Sequence, residues 1–459
     1  MDKLQKLFNY ISGYIIPSEA EVLNVLNIAE GYRSQVYKLF KDVVEDYDDV
    51  YIGGSVARGT FFKDDFDIDI FIRFPPTLDI EYIKEMLFTR LSEIFPRDKI
   101  RKRYAEHPYA EIIFDEYSLN VVPSFKTQYP GWLSPADRSY YHNQYLKERI
   151  KPYRRDVILA KSLFKGIGVY GAEVYIGGLS GYLTELLVLY YRGLENLLNA
   201  IVKWRPPVII DIEKLYSSQK EIRSVFEGYN LIVIDPVDKG RNVAAALTKR
   251  KFSMLISGVK AFLSDPKPSY FHIFSSERAK PEYNYRELIK SHPIIVIDLV
   301  HGAKIEDIHY PQLTSFARKI VRQLEYHGFN VYKYGVFSDY LSRSIVVILL
   351  STDRQPKYIV YTGPYPYLSG ESSFLEKNRG LIKWIGYDGR WYVLKTPKYS
   401  DVYSLITDVI DKGLIKSPKE LYKKYSVYRL NLTRLKRDIK LFSWIKEFIV
   451  GDEFWKERI

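Results

Sequence analysis

Apolar and polar positions alternate between two rhythms along this chain. Residues 17–46 carry a helical stripe of Val22, Val25, Leu26, Ala29, Tyr32 and Val36, and Pro17, Ser18 and Glu19 open the segment. The rhythm then switches. Residues 53–70 read as a small-residue turn, Gly-Gly-Ser-Val-Ala-Arg-Gly-Thr, followed shortly by the alternating run Asp-Ile-Asp-Ile. On a strand, Ile68 and Ile70 point into a core while Asp67 and Asp69 share the other face. Ile83, Met86, Leu87 and Leu91 restore helical spacing over 80–95. Two strand-like runs follow, near 101–114 and 118–124, separated by Asp115 and Glu116 and ended by Pro123. This order predicts a small mixed sheet with helices on one side.

Residues 145–270 read as mostly helical, most clearly over 151–165, 179–203 and 242–263. Pro236 and Gly240 mark a loop before the last of these, and Asn242 is placed to cap it. Pro266 and Pro268 suggest a boundary near 265–270. Beyond it the pattern gives a strand at Ile294–Val300, a helix at Pro311–His327, and strands near 330–337, 344–350 and 357–361. A Gly-turn hairpin around Asp388 and Gly389 and a helix near 401–412 follow. Lys416, Lys419, Lys423, Lys424, Arg429, Arg434, Lys436, Arg437 and Lys440 make a basic end, which suits either a solvated face or contact with a phosphate backbone. The expected fold is a multidomain α+β protein with domains at 1–145, 146–270 and 271–459.

Composition narrows the function. The length of 459 residues fits about three domains. Lys and Arg total 68 against 56 Asp and Glu, an excess of 12 that favours a polyanionic partner. No apolar run approaches the roughly 20 residues that span a bilayer, so no membrane partner is expected. The start, Met-Asp-Lys-Leu-Gln, lacks a basic opening and an apolar signal core, which points to a cytoplasmic protein. The chain has no cysteine, hence no disulfide framework and no thiolate zinc site. The 41 tyrosines can stack on bases or fill cores.

The chemistry concentrates at 53–70. Backbone amides at Gly53, Gly54 and Ser55 can face phosphate oxygens. Two aligned carboxylates suit Mg²⁺, a hard cation commonly shared with substrate phosphates. A lone Asp-x-Asp is more often a hairpin with two surface acids. Here a Gly-Ser turn and Arg58 stand just upstream, and a buried strand makes an unpaired carboxylate costly. The combination points to transfer of a nucleotidyl group from a triphosphate.

Several further segments occur in the order found in one family. They are Arg-Tyr-Ala-Glu-His-Pro-Tyr (103–109), Ala-Asp-Arg-Ser-Tyr-Tyr-His (136–142), Tyr-Gly-Ala-Glu (170–173) and Gly-Leu-Ser-Gly-Tyr-Leu-Thr-Glu-Leu-Leu (178–187). Asp-Pro-Val-Asp-Lys-Gly-Arg-Asn-Val-Ala-Ala (235–245), Tyr-Pro-Gln-Leu (310–313), Asn-Arg-Gly (378–380) and Asp-Gly-Arg-Trp-Tyr (388–392) continue the series. With these, the chain resembles the archaeal CCA-adding enzymes, tRNA nucleotidyltransferases of the polymerase-β superfamily, over nearly its whole length. The resemblance implies a polymerase-β-type catalytic head, a mostly helical central domain, and an α/β body and tail. It implies addition of C, C and A to the 3′ end of tRNA from CTP and ATP with Mg²⁺ and without a template, the tRNA being held by its acceptor and T arms. Carried over residue by residue, Asp67 and Asp69 would hold Mg²⁺, and Gly54, Ser55 and Arg58 would grip the triphosphate. His142, Lys161, Tyr170 and Tyr182 would lie at the nucleotide, Arg241 at the base edge, and Glu106 and His107 at the primer end. A homodimer stays open as a further partner.

One position departs from that pattern. The family carries a third carboxylate in an Asp-Val-Val-Pro type of strand, and this chain reads Ser118-Leu-Asn-Val-Val-Pro123. Asn120 offers one neutral oxygen but neither the charge nor the basicity of aspartate. Asp115 and Glu116 belong to the turn and are too far along the strand to replace it. The substitution reads as an engineered inactive variant, as a paralogue that binds RNA without extending it, or as a site that tolerates weaker metal binding. A poly(A)-type nucleotidyltransferase is a further alternative.

Overall fold

A computed structural model describes residues 3–104, 108–277, 285–416, 418, 420–431, 439–451, 453 and 455. The chain forms two compact units, Met1–Lys280 with Glu453–Ile459, and Pro281–Asp452.

The first unit begins with helix α1 (Lys3–Ile15), which no sequence stripe had signalled, and α2 (Glu19–Phe40). Helix α2 opens on a capping box in which Ser18 and Glu21 satisfy each other's backbone amides. It ends six residues before the expected 46, because 41–46 turns instead of continuing. Strand β1 (Val50–Ile52), the single-turn helix α3 (Gly54–Arg58), β2 (Asp67–Phe74) and α4 (Ile80–Leu91) follow. The run expected at 101–114 is two strands, β3 (Ile100–Tyr104) and β4 (Pro108–Ile113), and β5 (Ser118–Phe125) completes a five-stranded sheet of order β1-β2-β5-β4-β3. Only β2 and β5 run parallel among these pairs.

One face of this sheet is the core. Ile68, Ile70 and Ile72 of β2 pack with Leu119 and Val121 of β5 and Ala110 and Ile112 of β4 against the apolar stripes of α2 and α4. A one-residue slip of β2 would exchange all three isoleucines for Asp67, Asp69 and Phe71. Each buried isoleucine contributes roughly 1.5–3 kcal/mol. The apolar face therefore fixes the register, and the register fixes where the two carboxylates point.

Helices α5 (Arg138–Arg149), α6 (Arg154–Ile167), α7 (Gly181–Tyr191), α8 (Leu194–Ile201), α9 (Gln219–Val225) and α10 (Lys249–Ser264) build the rest of this unit, with a small sheet of β6 (Val208–Ile210), β7 (Leu231–Asp235) and β8 (Asp238–Asn242). The single helix expected over 179–203 is broken by Arg192 at φ 57° and Gly193 at φ 119°. The helix expected over 242–263 starts at Lys249, capped by Thr248. Asn242 caps nothing: it is a buried end of β8, where its side chain accepts from the Val233 and Ala244 amides and donates to the Leu231 carbonyl. The expected loop at 233–243 is a tight β hairpin.

The second unit holds α11 (Tyr285–Ser291), β9 (Ile294–Val300), α12 (Glu306–Tyr326), β10 (Val331–Ser338), β11 (Arg343–Leu350), β12 (Ile359–Thr362), α13 (Glu371–Lys377), β13 (Ile382–Ile385), β14 (Trp391–Lys395), α14 (Val402–Asp411), β15 (Lys424–Arg429) and α15 (Ile439–Val450). Its main sheet is antiparallel, of order β10-β11-β9-β15. Helices α12 and α14 cover one face and α11 and α15 the other. This explains why β9 and β11 are mostly apolar, with Asp298 the one charged residue inside β9. Helix α12 starts five residues before the expected Pro311, which sits in its second turn and forgoes one hydrogen bond there. Strand β12 belongs to a separate sheet with β14 and β13, and the fourth strand of the main sheet comes from the basic end. Of that end, Lys416, Lys423, Lys424 and Arg429 are exposed. Lys419, Arg434, Lys436 and Arg437 lie outside the described residues.

Candidate nucleotidyl-transfer site

The polar face of the five-stranded sheet carries the candidate site. Asp69 of β2 pairs with Asn120 of β5 in the parallel ladder, and Asp67 pairs with Ser118. The side chains follow the backbone: Asn120 Nδ2 donates to Asp69 Oδ1 at 2.9 Å, and Ser118 Oγ donates to Asp67 Oδ1 at 2.5 Å. Both acids thus stand on one face, beside the substituted third position.

The glycine turn is packed directly against them. The Gly53 amide donates to the Asp69 carbonyl at 2.8 Å. Gly54 has φ +63°, and a Cβ added there would lie 1.9 Å from Asp69 Oδ2. Only glycine lets the backbone turn this close to the carboxylate. Helix α3 then ends on Gly59 in the left-handed region, and the Thr60 amide closes the turn on the Ser55 carbonyl.

Among the described residues no cation is paired with Asp69, and Arg58 acts on it only through space. Burial pushes its carboxyl up to about 6, the Asn120 amide and Arg58 pull it down, and Asp67 adds to the rise. The residues here fit a divalent metal. The donor set is all oxygen, as a hard cation prefers. Asn120 Oδ1 is buried and has no protein partner, so it is an orphaned acceptor beside two acids. A second acidic cluster, Glu45, Asp46 and Asp49, also has the spacing of a metal site. Lys126 already fills it, at 2.6, 3.8 and 3.2 Å from the three carboxylates, and Arg73 lies 3.8 Å from Asp49.

A second polar centre lies between α3, α6 and α7. Glu185, fully buried on α7, accepts from Arg58 Nε at 2.9 Å, Thr60 Oγ1 at 2.5 Å and Lys161 Nζ at 3.2 Å. Burial pushes the Glu185 carboxyl up, yet Arg58 and Lys161 outweigh it and hold the group below its ordinary value. Burial lowers the Lys161 ammonium in turn. Tyr170 joins this centre: a Cβ on Gly181 would lie 3.1 Å from its hydroxyl and 3.8 Å from Lys161 Nζ. Sequence reasoning named both cations but missed the acid between them. Its signal was a lone glutamate inside Leu-Thr-Glu-Leu-Leu-Val-Leu, where a buried carboxylate requires partners.

A third centre gathers the remaining candidates around Asp235, at the end of β7. Its carboxylate meets His142 Nε2 at 2.8 Å, Arg241 Nη1 at 2.7 Å and the Tyr182 hydroxyl at 3.2 Å. His142 stacks on Tyr182 with ring centroids 4.0 Å apart. Burial lowers the imidazole despite the carboxylate beside it, and burial also pushes the Tyr182 phenol far up. Arg241, on β8, keeps a third of its side chain exposed while the carboxylate that orients it is sealed. Asp235 was a second omission; residues 142, 182 and 235 are distant in sequence, so spacing could not join them. Glu106 and His107 lie outside the described residues.

A glycine turn locked to an Asp-x-Asp strand in a helix-backed mixed sheet defines a nucleotidyltransferase head. Comparison with known families agrees: residues 36–165 match the nucleotidyltransferase domain, 155–272 the second domain of tRNA nucleotidyltransferase, and 291–429 the C-terminal domain of CCA-adding enzyme. The CCA-adding enzyme of Sulfurisphaera tokodaii is 32% identical over 374 residues, covering 81% of this chain and 84% of that protein. That of Methanopyrus kandleri is 30% identical over 98% of both chains, and that of Pyrobaculum islandicum 32% identical over 90% of this chain and 95% of its own. The chain belongs to the CCA-adding enzyme family.

Proposed function

We propose that this protein adds C, C and A to the 3′ end of tRNA, taking CMP and AMP units from CTP and ATP and releasing pyrophosphate. The observation that carries this reading is the row of Asp69 and Asn120 on one sheet face, with the Gly54 turn pressed against it. Residues 1–145 act as the catalytic head, 146–270 as the base-reading domain, and 271–459 as the grip on the acceptor and T arms. Work on tRNA makes the cytoplasm its place of action.

Asp67 and Asp69 would hold Mg²⁺, with the Asn120 carbonyl oxygen as a neutral third donor. Protein kinases hold one of their magnesium ions with an asparagine, so the residue type is competent. When bound, such a cation offsets triphosphate charge and favours ionisation of the attacking hydroxyl. The chain's own residues do the rest. Amides of Gly54 and Ser55, at the start of a helical turn, face phosphate oxygens because they have no partner within the turn. Arg58 and Lys161 sit behind this turn as a cationic floor, braced by Glu185. Arg241 presents its planar fork to the base edge while Asp235, itself bonded to His142, holds it in orientation. Asn120 cannot take a proton from the 3′ hydroxyl, so the rate falls below that of an aspartate-bearing site.

The test is incorporation of radiolabelled CTP and ATP, with Mg²⁺, into tRNA lacking its 3′ end. Extension that stops after three additions supports the reading. Continued tailing would assign a poly(A)-type activity instead. The neutral Asn120 favours a second reading, an RNA-binding paralogue. Binding of tRNA with no incorporation, in Asn120→Asp as well as in the unaltered chain, would establish it.

A further inference from the structure

The strand register places another acid one strand away from the position where the family's third carboxylate is missing. Asn120 of β5 has two neighbours across the sheet, Asp69 on the parallel side and Glu111 of β4 on the antiparallel side. Directly opposed residues in a sheet share a face. Burial agrees: Ala110 and Ile112, on either side of Glu111, are fully buried in the core with Leu119 and Val121, while Glu111 and Asn120 are partly exposed. The row therefore runs Asp69, Asn120, Glu111 over three adjacent strands, with Arg101 of β3 opposite Glu111 at its end. The parallel row through Asp67 and Ser118 ends on Ile113, so it holds no second acid. Asp115 and Glu116 are exposed in the turn beyond β4.

The offset suits a supporting role. An acid at 120 would stand beside Asp69; Glu111 stands one strand further, about 4.8 Å away. Glutamate is one methylene longer than aspartate, which recovers part of that distance and leaves room for one bridging water. On the strand between them, Asn120 Oδ1 is buried and unpartnered. A neutral donor at 120 and a charge at 111 divide between two strands what one aspartate does alone.

We propose that Glu111 is a positioning residue of this site, supplying from the neighbouring strand the negative charge that Asn120 lacks toward the cation held by Asp67 and Asp69. This rests on the metal assignment of the proposed function but not on tRNA as the substrate. The test is titration of the full-length protein with Mn²⁺ alone, read by electron paramagnetic resonance without nucleotide or RNA, in four forms: unaltered, Glu111→Gln, Asn120→Asp and the double variant. Glu111→Gln is expected to weaken Mn²⁺ affinity about tenfold beside Asn120 and less than about twofold beside Asp at that position, the signature of coupled neighbours. Unchanged melting temperatures show that the folds are intact. Equal effects of Glu111→Gln in both backgrounds, or none in either, overturn the proposal. If the unaltered chain binds Mn²⁺ with this coupling yet incorporates no nucleotide, the proposed activity fails while the role of Glu111 stands.

Discussion

Asp69 and Glu185 are carboxylates of the same unit, one partly exposed and one fully buried, and their pKa values are shifted in opposite directions. Glu185 has its cations in place, Arg58 and Lys161, together with the Thr60 hydroxyl, and stays ionised below its ordinary range. Asp69 has an amide and another acid for neighbours, and burial pushes it up to about 6. One carboxylate is paired with the protein's own cations, and the other is paired with none among the described residues. The difference teaches how to read acidic clusters. Glu45, Asp46 and Asp49 look like a metal site by spacing, but Lys126 has already closed it. A deficit of positive charge, rather than a concentration of negative charge, marks the place where a ligand belongs.

This contrast can be broken experimentally. The largest effect is expected at Asp69: Asp69→Asn should lower CMP and AMP incorporation by about 10³-fold or more, the scale of a lost transition-state electrostatic contact, while tRNA retention in a gel-shift assay stays within twofold. Glu185 should respond in stability first. Glu185→Gln leaves two buried cations without their counter-charge, which costs about 3–5 kcal/mol, measurable by urea unfolding. If the two variants exchanged phenotypes, the distinction between an open and a closed site would be wrong.

Asn120→Asp should move the open site toward completeness. Incorporation is expected to rise about 10²-fold in a single-turnover assay, with no more than a small change in melting temperature. Arg241→Ala tests the Asp235 centre. Losing a paired contact to a base edge costs about 1–3 kcal/mol of discrimination, so the ratio of CTP to UTP use should fall by about tenfold, measured by competition between labelled nucleotides.

The smallest effect concerns an imidazole that, like Asp69, is shifted chiefly by burial, which the nearby Asp65 only partly offsets. His272 touches Ser162 and Phe62, and burial, then Lys165, lower it to about 4. Its folded value lies below the unfolded value near 6.5. Protonation is therefore resisted only in the folded state. Stability is complete above pH 6.5 and declines as pH falls toward 4. Replacing His272 with Gln should flatten that decline in thermal unfolding scans.

The two aspartates of β2 were legible in the sequence and the partners of Glu185 and Asp235 were not, for a physical reason. Asp67 and Asp69 alternate with isoleucines, and burial of Ile68, Ile70 and Ile72 leaves the acids one face to occupy. That inference needs only local pattern. Glu185, by contrast, meets Arg58 across 127 positions, and Asp235 meets His142 across 93. No periodicity encodes such pairs. Glu111 was hidden for a third reason: its neighbour across the sheet depends on antiparallel register, which is set at the turn between β4 and β5. The same kind of ambiguity made Asn242 read as a helix cap when it ties β7 to the loop after β8, and made the basic end read as a tail when part of it closes a sheet.

The turn at Gly54 has a consequence for anyone redesigning this enzyme. The smallest possible side chain, a single methyl group, would fall on an oxygen of Asp69. A side chain at that residue would have to displace the Asp69 carboxylate and hold a left-handed backbone, so on the proposed function a broader choice of nucleotide is sought at Arg241, whose side chain is one-third exposed.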